Sequence, residues 1–525
     1  MATSASPDLE KALSSTLSGS HPSADDEKET AAASVLAPEG VLSQEHLSRS
    51  LTARQVSMIA VGGTIGTALA TGGPASLLIN YSIVGALVYL VMLCLGEMAT
   101  EFPVAGSFTT YAARFGDEAL GFSIGWQYAF NDAISTAGDL TAAQVLVEYW
   151  TSSYTWLPSL FFLFFLVGVN LFHVKAYGEL EYWLSLLKII AVVIFFFLGI
   201  AVNAGGNQAG EYIGARNWTH GEAPFVNGFA GFASLFVSAA FAYGGTESIG
   251  STAGETKNPT RNMPRVVRNV FWRILIFYIS TVVIIGFDIP YDYPNLSTKS
   301  TATSPFTLVF QLAGSKAGGS FMNAVILTSV LSAGNHALFA GARVLYGLAV
   351  IHQAPAVFRR TNRQDVPWVS VLAVGSVSLI FFGASFLPGG AAEIWTWCQN
   401  LVGVSNQLAW WTIGLASTRF RWAWAAQGRS ASELRFPNPA GRVFRGKFDA
   451  VGFVANYVEL PIYLALYLFW RAVQFRRVRT PTLRAIDLDT GPYARTEADE
   501  RDDLEREKRV HGKMGWAWRV WGWVA

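Results

Sequence analysis

Charge is what this sequence has least of. Asp, Glu, Lys and Arg together make up 14% of its 525 residues, where a soluble chain would carry roughly a quarter. That scarcity excludes an ordinary water-facing surface, while the 51% hydrophobic content fits a surface that largely faces lipid. Net charge is only +1, which excludes a nucleic-acid footprint, so basic residues matter here by position. Cysteine is almost absent too. Cys94 and Cys398 both lie in or beside apolar segments, so no disulfide framework is expected. There is no phosphate-cradling Walker loop and no His, Cys and acid cluster at metal-ligand spacing. No ATP hydrolysis, enzyme activity, cofactor or metal is therefore expected. Residues 1–50 are rich in Ser, Ala and Glu, lack the apolar run of a signal peptide and read as a disordered tail.

What is present is a series of apolar runs. A helix needs about 20 residues to cross a ~30 Å hydrocarbon core, and about eleven segments meet or approach that length. They centre on Met58–Ala70, Ala75–Leu95, Ala119–Val147, Leu157–His173, Trp183–Val202, Phe229–Gly250, Val270–Phe287, Gly319–Val350, Val369–Leu387, Ile394–Ala416 and Val451–Trp470. The runs are continuous rather than alternating, which predicts an all-α membrane protein and not a barrel. Lys and Arg cluster after every even-numbered segment, which predicts a cytoplasmic N-terminus. Asn217 and Asn295, each in an Asn-X-Ser/Thr tripeptide, then fall outside. The eleventh segment breaks the alternation, being basic on both flanks, from Arg442, Arg445 and Lys447 to Arg471, Arg476, Arg477 and Arg479. Either the charge rule fails there or a spanning helix is missing between Phe436 and Phe448.

Two segments carry helix-weakening residues at mid-depth: GGTIGT (62–67) in the first and AYGGTES (242–248) in the sixth. Irregular backbone inside a membrane persists where it lines a cavity or touches a ligand. Paired breaks five helices apart are the mark of a transporter site built from inverted repeats. Freed N–H groups suit a carboxylate and freed carbonyls an ammonium, so an amino-acid zwitterion fits both. Close helix packing is the other use for such glycines. The ionisable residues within the segments are Asp132, Asp139, Lys188, Glu247 and His336. Each costs at least ~2.5–3.5 kcal/mol at the membrane centre, so each is a functional candidate. Asp132 and Asp139 are seven apart and share a helix face. Lys188 lies too deep to snorkel and needs an acid, carbonyls or deprotonation; it serves either proton coupling or a static ion pair. Asp132 either favours lysine or arginine by charge complementarity or faces a neighbouring helix.

The chain resembles the fungal amino-acid permeases, the yeast amino-acid transporter group of the amino acid–polyamine–organocation superfamily. The resemblance rests on MIAVGGTIGT (58–67), LGEMATEFPVAGSF (95–108), ALGFSIGWQY (119–128) and AGETKNPTRNMP (253–264), and on AVILTSVLSAGN (324–335), NLVGVSNQLAW (400–410) and FRWAWAAQGRSASEL (420–434). It implies twelve helices with two inverted five-helix repeats, broken first and sixth helices, and proton-driven import of amino acids across the plasma membrane. The backbone around Thr64, Ile65, Gly66 and Thr67 would hold the substrate carboxylate, and carbonyls of both breaks its ammonium. Gly62, Gly245 and Thr246 complete the expected binding set. Tyr243 would be an aromatic gate, Glu247 the acid near the amine, and Asp139 a shortened version of a third-helix glutamate. Lys188 would stand where sodium sits in sodium-driven relatives.

Departures from the family accompany these matches. ATGGP follows GGTIGTAL at once, which shortens the outer half of the first helix, and the eleventh helix of the family has no counterpart between GRSASELRF and FDAVGFVANY. Asp132 replaces a usual aromatic, Ala137 a usual proline, Glu459 a glycine and His336 a small residue. The gaps raise a second reading, a transport-inactive sensor or a truncated or mis-spliced product. The expected domains are a disordered tail (1–50), a transporter domain (51–470) and a cytoplasmic C-terminal tail (471–525). That tail ends in the Trp-rich GWAWRVWGWVA, which is either interfacial or disordered. Expected partners are the amino acid, protons, the bilayer and, through Lys11 and Lys28, a ubiquitin ligase adaptor.

Overall fold

The structure, a computed structural model, describes residues 65–436 apart from 105–106, 152, 173, 248–249, 251–258, 295, 297–303, 387–389, 431–432 and 435. It also describes 464, 466–471, 481–484 and 486–488. Gly62, Thr64, the N-terminal lysines, most of the eleventh segment with the basic loop before it, Glu459 and the Trp-rich end lie outside the described residues.

Among the described residues the protein is helical without strands. The first element, α1 (Ile65–Glu101), has two arms joined at Gly73, whose φ of 79° is a conformation that favours glycine. A Cβ there would lie 2.6 Å from the Pro224 carbonyl oxygen. That oxygen accepts a 3.2 Å bond from the Ala75 N–H, and Val226 N–H donates to the Gly72 carbonyl at 3.0 Å. Pro74, which has no N–H to leave unpaired, opens the second arm. The early turn read in ATGGP is thus present: the chain bends at Gly73, directly after the described residues 65–72.

A short connector, Phe108–Tyr111 and the π-helical Ala112–Gly116, leads to α2 (Glu118–Val147). Asp117 caps α2, its Oδ1 accepting the Leu120 N–H at 2.8 Å. There follow α3 (Trp156–Leu171), α4 (Val174–Asn203), α5 (Gly228–Tyr243) and α6, which runs through Pro259–Arg273, a π-helical turn Ile274–Ile279 and Ser280–Asp288. The remainder are α7 (Pro305–Leu312), α8 (Lys316–Val350), α9 (Trp368–Gly383) and α10 (Gly390–Ala426).

By length and composition five described helices can cross a membrane: Ile65–Glu101, Leu186–Asn203, Thr260–Asp288, Lys316–Val350 and Trp368–Phe386. Trp156–Leu171 and Gly228–Tyr243 are apolar but shorter. The long α2 and α10 fall outside that group for a physical reason. α2 is buried along nearly its whole length and packs against α8, α9 and α10, so its polar residues face protein rather than lipid. The helices around it show the reverse pattern. Phe161 and Phe165 on α3, Phe197 and Ile200 on α4, and Ile380 on α9 are exposed large apolar groups, Phe197 and Ile380 by more than 70%. Lipid removes the penalty of that exposure.

α2 and α8 run antiparallel in close contact. A Cβ on Gly341 would meet Asp132 Cβ at 2.8 Å, and one on Gly334 would meet Asp139 Cβ at 3.4 Å. The two contacts step seven residues in opposite directions. Asp132 and Asp139 therefore do share one face of α2, each opposite a small residue that lets the backbones approach.

At one end of the bundle, Arg421 of α10 forms a bidentate pair with the fully buried Glu97 of α1, with the Nε bond at 2.8 Å. The rings of Phe102, Phe115 and Phe420 pack beside it, with the Arg114 guanidinium 4.4 Å from the Phe102 centroid. Residues 481–484 and 486–488 lie across this end. Arg114 Nε donates to the Asp487 carbonyl (2.9 Å), Arg419 Nη2 to Pro481 (2.8 Å) and Gln427 Nε2 to Ile486 (2.8 Å). Ile486 and Leu488 are buried there.

Candidate functional site

α5 is a run of small and apolar residues that ends on Tyr243-Gly244-Gly245. Gly244 leaves the helix with ψ 155°, and Gly245 takes φ 80°, the usual way a glycine stops a helix. A Cβ on Gly244 would collide with the side-chain amide of Asn406 on α10, and Asn406 Nδ2 donates to the Ala240 carbonyl at 3.3 Å. The break read in AYGGTES is real, and it is pressed against α10.

Beside it lies a cavity of about 140 Å³, many times the ~10–15 Å³ that one water needs. Gly66 and Thr67 of α1 line it with Gly244 and Gly245; Tyr128, Asn131, Asp132, Ser135 and Asp139 enter from α2, His336 from α8, and Trp395 and Asn406 from α10. Four buried oxygens of its wall accept no hydrogen bond: Asn131 Oδ1, Asp132 Oδ2, Ser304 Oγ and Asn406 Oδ1. Native interiors leave few such groups unpaired.

Glu247 stands behind the wall, with no exposure. Tyr128 hydroxyl donates to its Oε1 at 2.5 Å and Trp410 Nε1 to its Oε2 at 3.0 Å. Gly245 N–H donates to Oε1 at 3.3 Å. The Thr246 hydroxyl lies 3.3 Å from Oε2 and 3.0 Å from the Tyr243 carbonyl. Among the described residues this carboxylate is compensated by donors, without a cation at contact distance.

The expected site residues thus separate. Gly66, Thr67, Asp139 and Gly245 line the cavity, whereas Ile65, Thr246 and Glu247 are buried next to lining residues. Tyr243 is turned away. Its hydroxyl donates to the Tyr81 carbonyl at 2.9 Å and its ring lies 4.3 Å from that of Tyr278. Phe241, two residues earlier, is the aromatic ring of α5 that lines the cavity. Lys188 Nζ donates to Ser332 Oγ at 2.7 Å, and its charge acts on Asp139. Sequence reasoning gave no role to Tyr128, Asn131, Trp410 or Asn406, although Tyr128 and Trp410 close two of the stretches that carry the family resemblance. Among the described residues no group of three or more His, Cys, Asp or Glu could hold a metal.

The amino acid permease family model matches residues 55–445, which include the GGTIGT stretch, the end of α5 and the whole cavity wall. The chain belongs to the amino acid permease family. It is 40% identical to a probable amino-acid permease of Schizosaccharomyces pombe, over 87% of this chain and 97% of that one. Identity to the lysine-specific permease LysP of Escherichia coli is 37%, with 82% of this chain and 94% of that one covered. For the general amino-acid permease GAP2 of Candida albicans the figures are 40%, 75% and 69%. The Schizosaccharomyces match extends over 500 positions, more than 87% of 525 residues can fill, so that relative carries stretches with no counterpart in this permease.

Proposed function

We propose that this permease is a secondary transporter that moves amino acids through the cavity between the two helix breaks, driven by protons. The carrying observation is the position of that cavity. Gly66 and Thr67, in the first described turn of α1, line it together with Gly244 and Gly245 at the end of α5. In this reading the first helix is interrupted within GGTIGT, and the N–H groups of Ile65, Gly66 and Thr67, with Thr64, hold the substrate carboxylate, as the first residues of a helical arm offer unpaired donors and partial positive charge. Carbonyls of Gly62 and of the 243–246 turn, together with the unpaired oxygens of Asn131 and Asn406, take the α-ammonium. Glu247 biases the same region towards a cation and fixes Tyr128 in the wall.

Lys188 is the proton-coupling candidate. Its ammonium is held by Ser332 and lies within reach of the charge on Asp139, which lines the cavity. Loss or gain of one proton at Lys188 would change the field on a carboxylate that faces the substrate. The finer placement has separate supports: the basic loops favour an N-terminus in the cytoplasm, the family resemblance a plasma-membrane location, and Lys11 and Lys28 a ubiquitin ligase adaptor on the tail. The test is uptake of labelled amino acids by cells or proteoliposomes. Saturable uptake that a protonophore collapses is the expected result. Uptake that survives the protonophore would remove the proton coupling, and unchanged uptake in the Glu247→Gln, Lys188→Ala double variant would remove the site.

A further inference from the structure

Two acids of α2 enter the cavity, and their surroundings differ. Asp139 shares its neighbourhood with the Lys188 ammonium. Among the described residues Asp132 has no such companion: the charge that acts on it is that of Glu247, another carboxylate. Asp132 lines the cavity although only 5% exposed, and its Oδ2, on the side of Gly341, has no hydrogen-bond partner. Asn131 Oδ1 and Asn406 Oδ1 in the same wall are also acceptors without a donor. His336 is the basic group of α8 on this cavity. It lies five residues from Gly341, the α8 residue against Asp132, hence about 140° around the helix and one to two turns along it. It is nearer in height to Gly334 and Asp139.

A buried carboxylate with no cation is costly inside a membrane. The cost is offset when a guest brings the missing charge. A neutral guest leaves it in place. We propose that Asp132 is the specificity-determining residue of this permease and that it receives the side-chain ammonium or guanidinium of a basic amino acid. This rests on the reading above, in which the helix breaks hold the α-carboxylate and α-ammonium. Tyr128, whose hydroxyl binds Glu247, and Asp132 are four residues apart, so Asp132 stands about 6 Å further along α2 than the wall nearest the break. The second positive charge of lysine or arginine would be met one helical turn away from the first. Selectivity arises because a site built around an unpaired charge rejects a guest that cannot pair it.

The test uses the full chain in proteoliposomes with labelled lysine and labelled leucine, each competed by unlabelled lysine, arginine and leucine. Wild type is expected to take up lysine with an apparent KM at least about tenfold below that for leucine, and arginine should compete as lysine does. Asp132→Asn, nearly isosteric, should raise the lysine KM about tenfold or more while moving the leucine KM less than about twofold. Asp132→Glu should keep the lysine preference. Equal competition by leucine and lysine in wild type, or an Asp132→Asn change that shifts both substrates alike, would overturn the role of Asp132 while leaving amino-acid transport intact. Wild-type competition alone decides the matter if the asparagine variant does not fold. Absence of uptake of any amino acid by the wild type would instead overturn the transporter reading and this inference with it.

Discussion

The C-terminal part of α10 and its middle handle buried polar groups in opposite ways. Towards its C-terminus, Arg421 clamps the fully buried Glu97, and residues 481–484 and 486–488 are hydrogen-bonded to the same end of the bundle. Around Asn406, by contrast, the polar groups face a cavity, and several of their oxygens have no partner. A satisfied carboxylate at one place and an unsatisfied one at the other, in the same bundle, separate what holds the helices together from what waits for a ligand. Glu247 lies between the two cases: it is fully provided with donors, yet one of them, Tyr128, is part of the cavity wall.

The comparison breaks most readily at the clamp. Arg421→Ala removes the bidentate partner of the buried Glu97, which costs about 3–5 kcal/mol. A clear fall in melting temperature and in monodisperse yield of the detergent-solubilised protein should follow. No change in melting would mean that Glu97 is solvated and the clamp is not structural. Next in size is Gly244→Ala. Its Cβ collides with Asn406, and displacing the break by about 1 Å should lower uptake by roughly a hundredfold with a smaller effect on melting. Uptake at the wild-type level would show that the break does not position substrate. The smallest effect is expected from Tyr243→Phe, which removes one hydrogen bond, to the Tyr81 carbonyl, and about 1 kcal/mol of stability. Because the ring faces away from the cavity, substrate KM should hold steady. A large KM change would return Tyr243 to the role of gate.

Much of this was legible in the residues. Gly244-Gly245 announces a helix stop because glycine relieves the left-handed turn, and the seven-residue spacing of Asp132 and Asp139 fixes a shared face whatever packs against it. The GGP sequence at 72–74 declared the early bend of α1 for the same local reason. What stayed hidden depends on helices distant in the chain. Tyr128 and Trp410 reach Glu247 across 119 and 163 residues, and no periodicity encodes such a meeting. Tyr243 was assigned to the cavity by resemblance, but its rotation about the helix axis is set by Tyr81 and Tyr278, which only the packed bundle brings together. Lys188 needed a partner from its depth alone. Which partner, Ser332 with Asp139 nearby, required the fold.

The account turns on where the substrate's charged ends sit, and a cryo-electron microscopy structure at saturating lysine would read this directly. It should show the α-carboxylate within hydrogen-bond distance of the 65–67 backbone, the α-ammonium at the 243–246 turn and the side-chain nitrogen at Asp132. Lysine density elsewhere in the bundle, or an empty cavity beside the broken α5 at concentrations that saturate uptake, would contradict it.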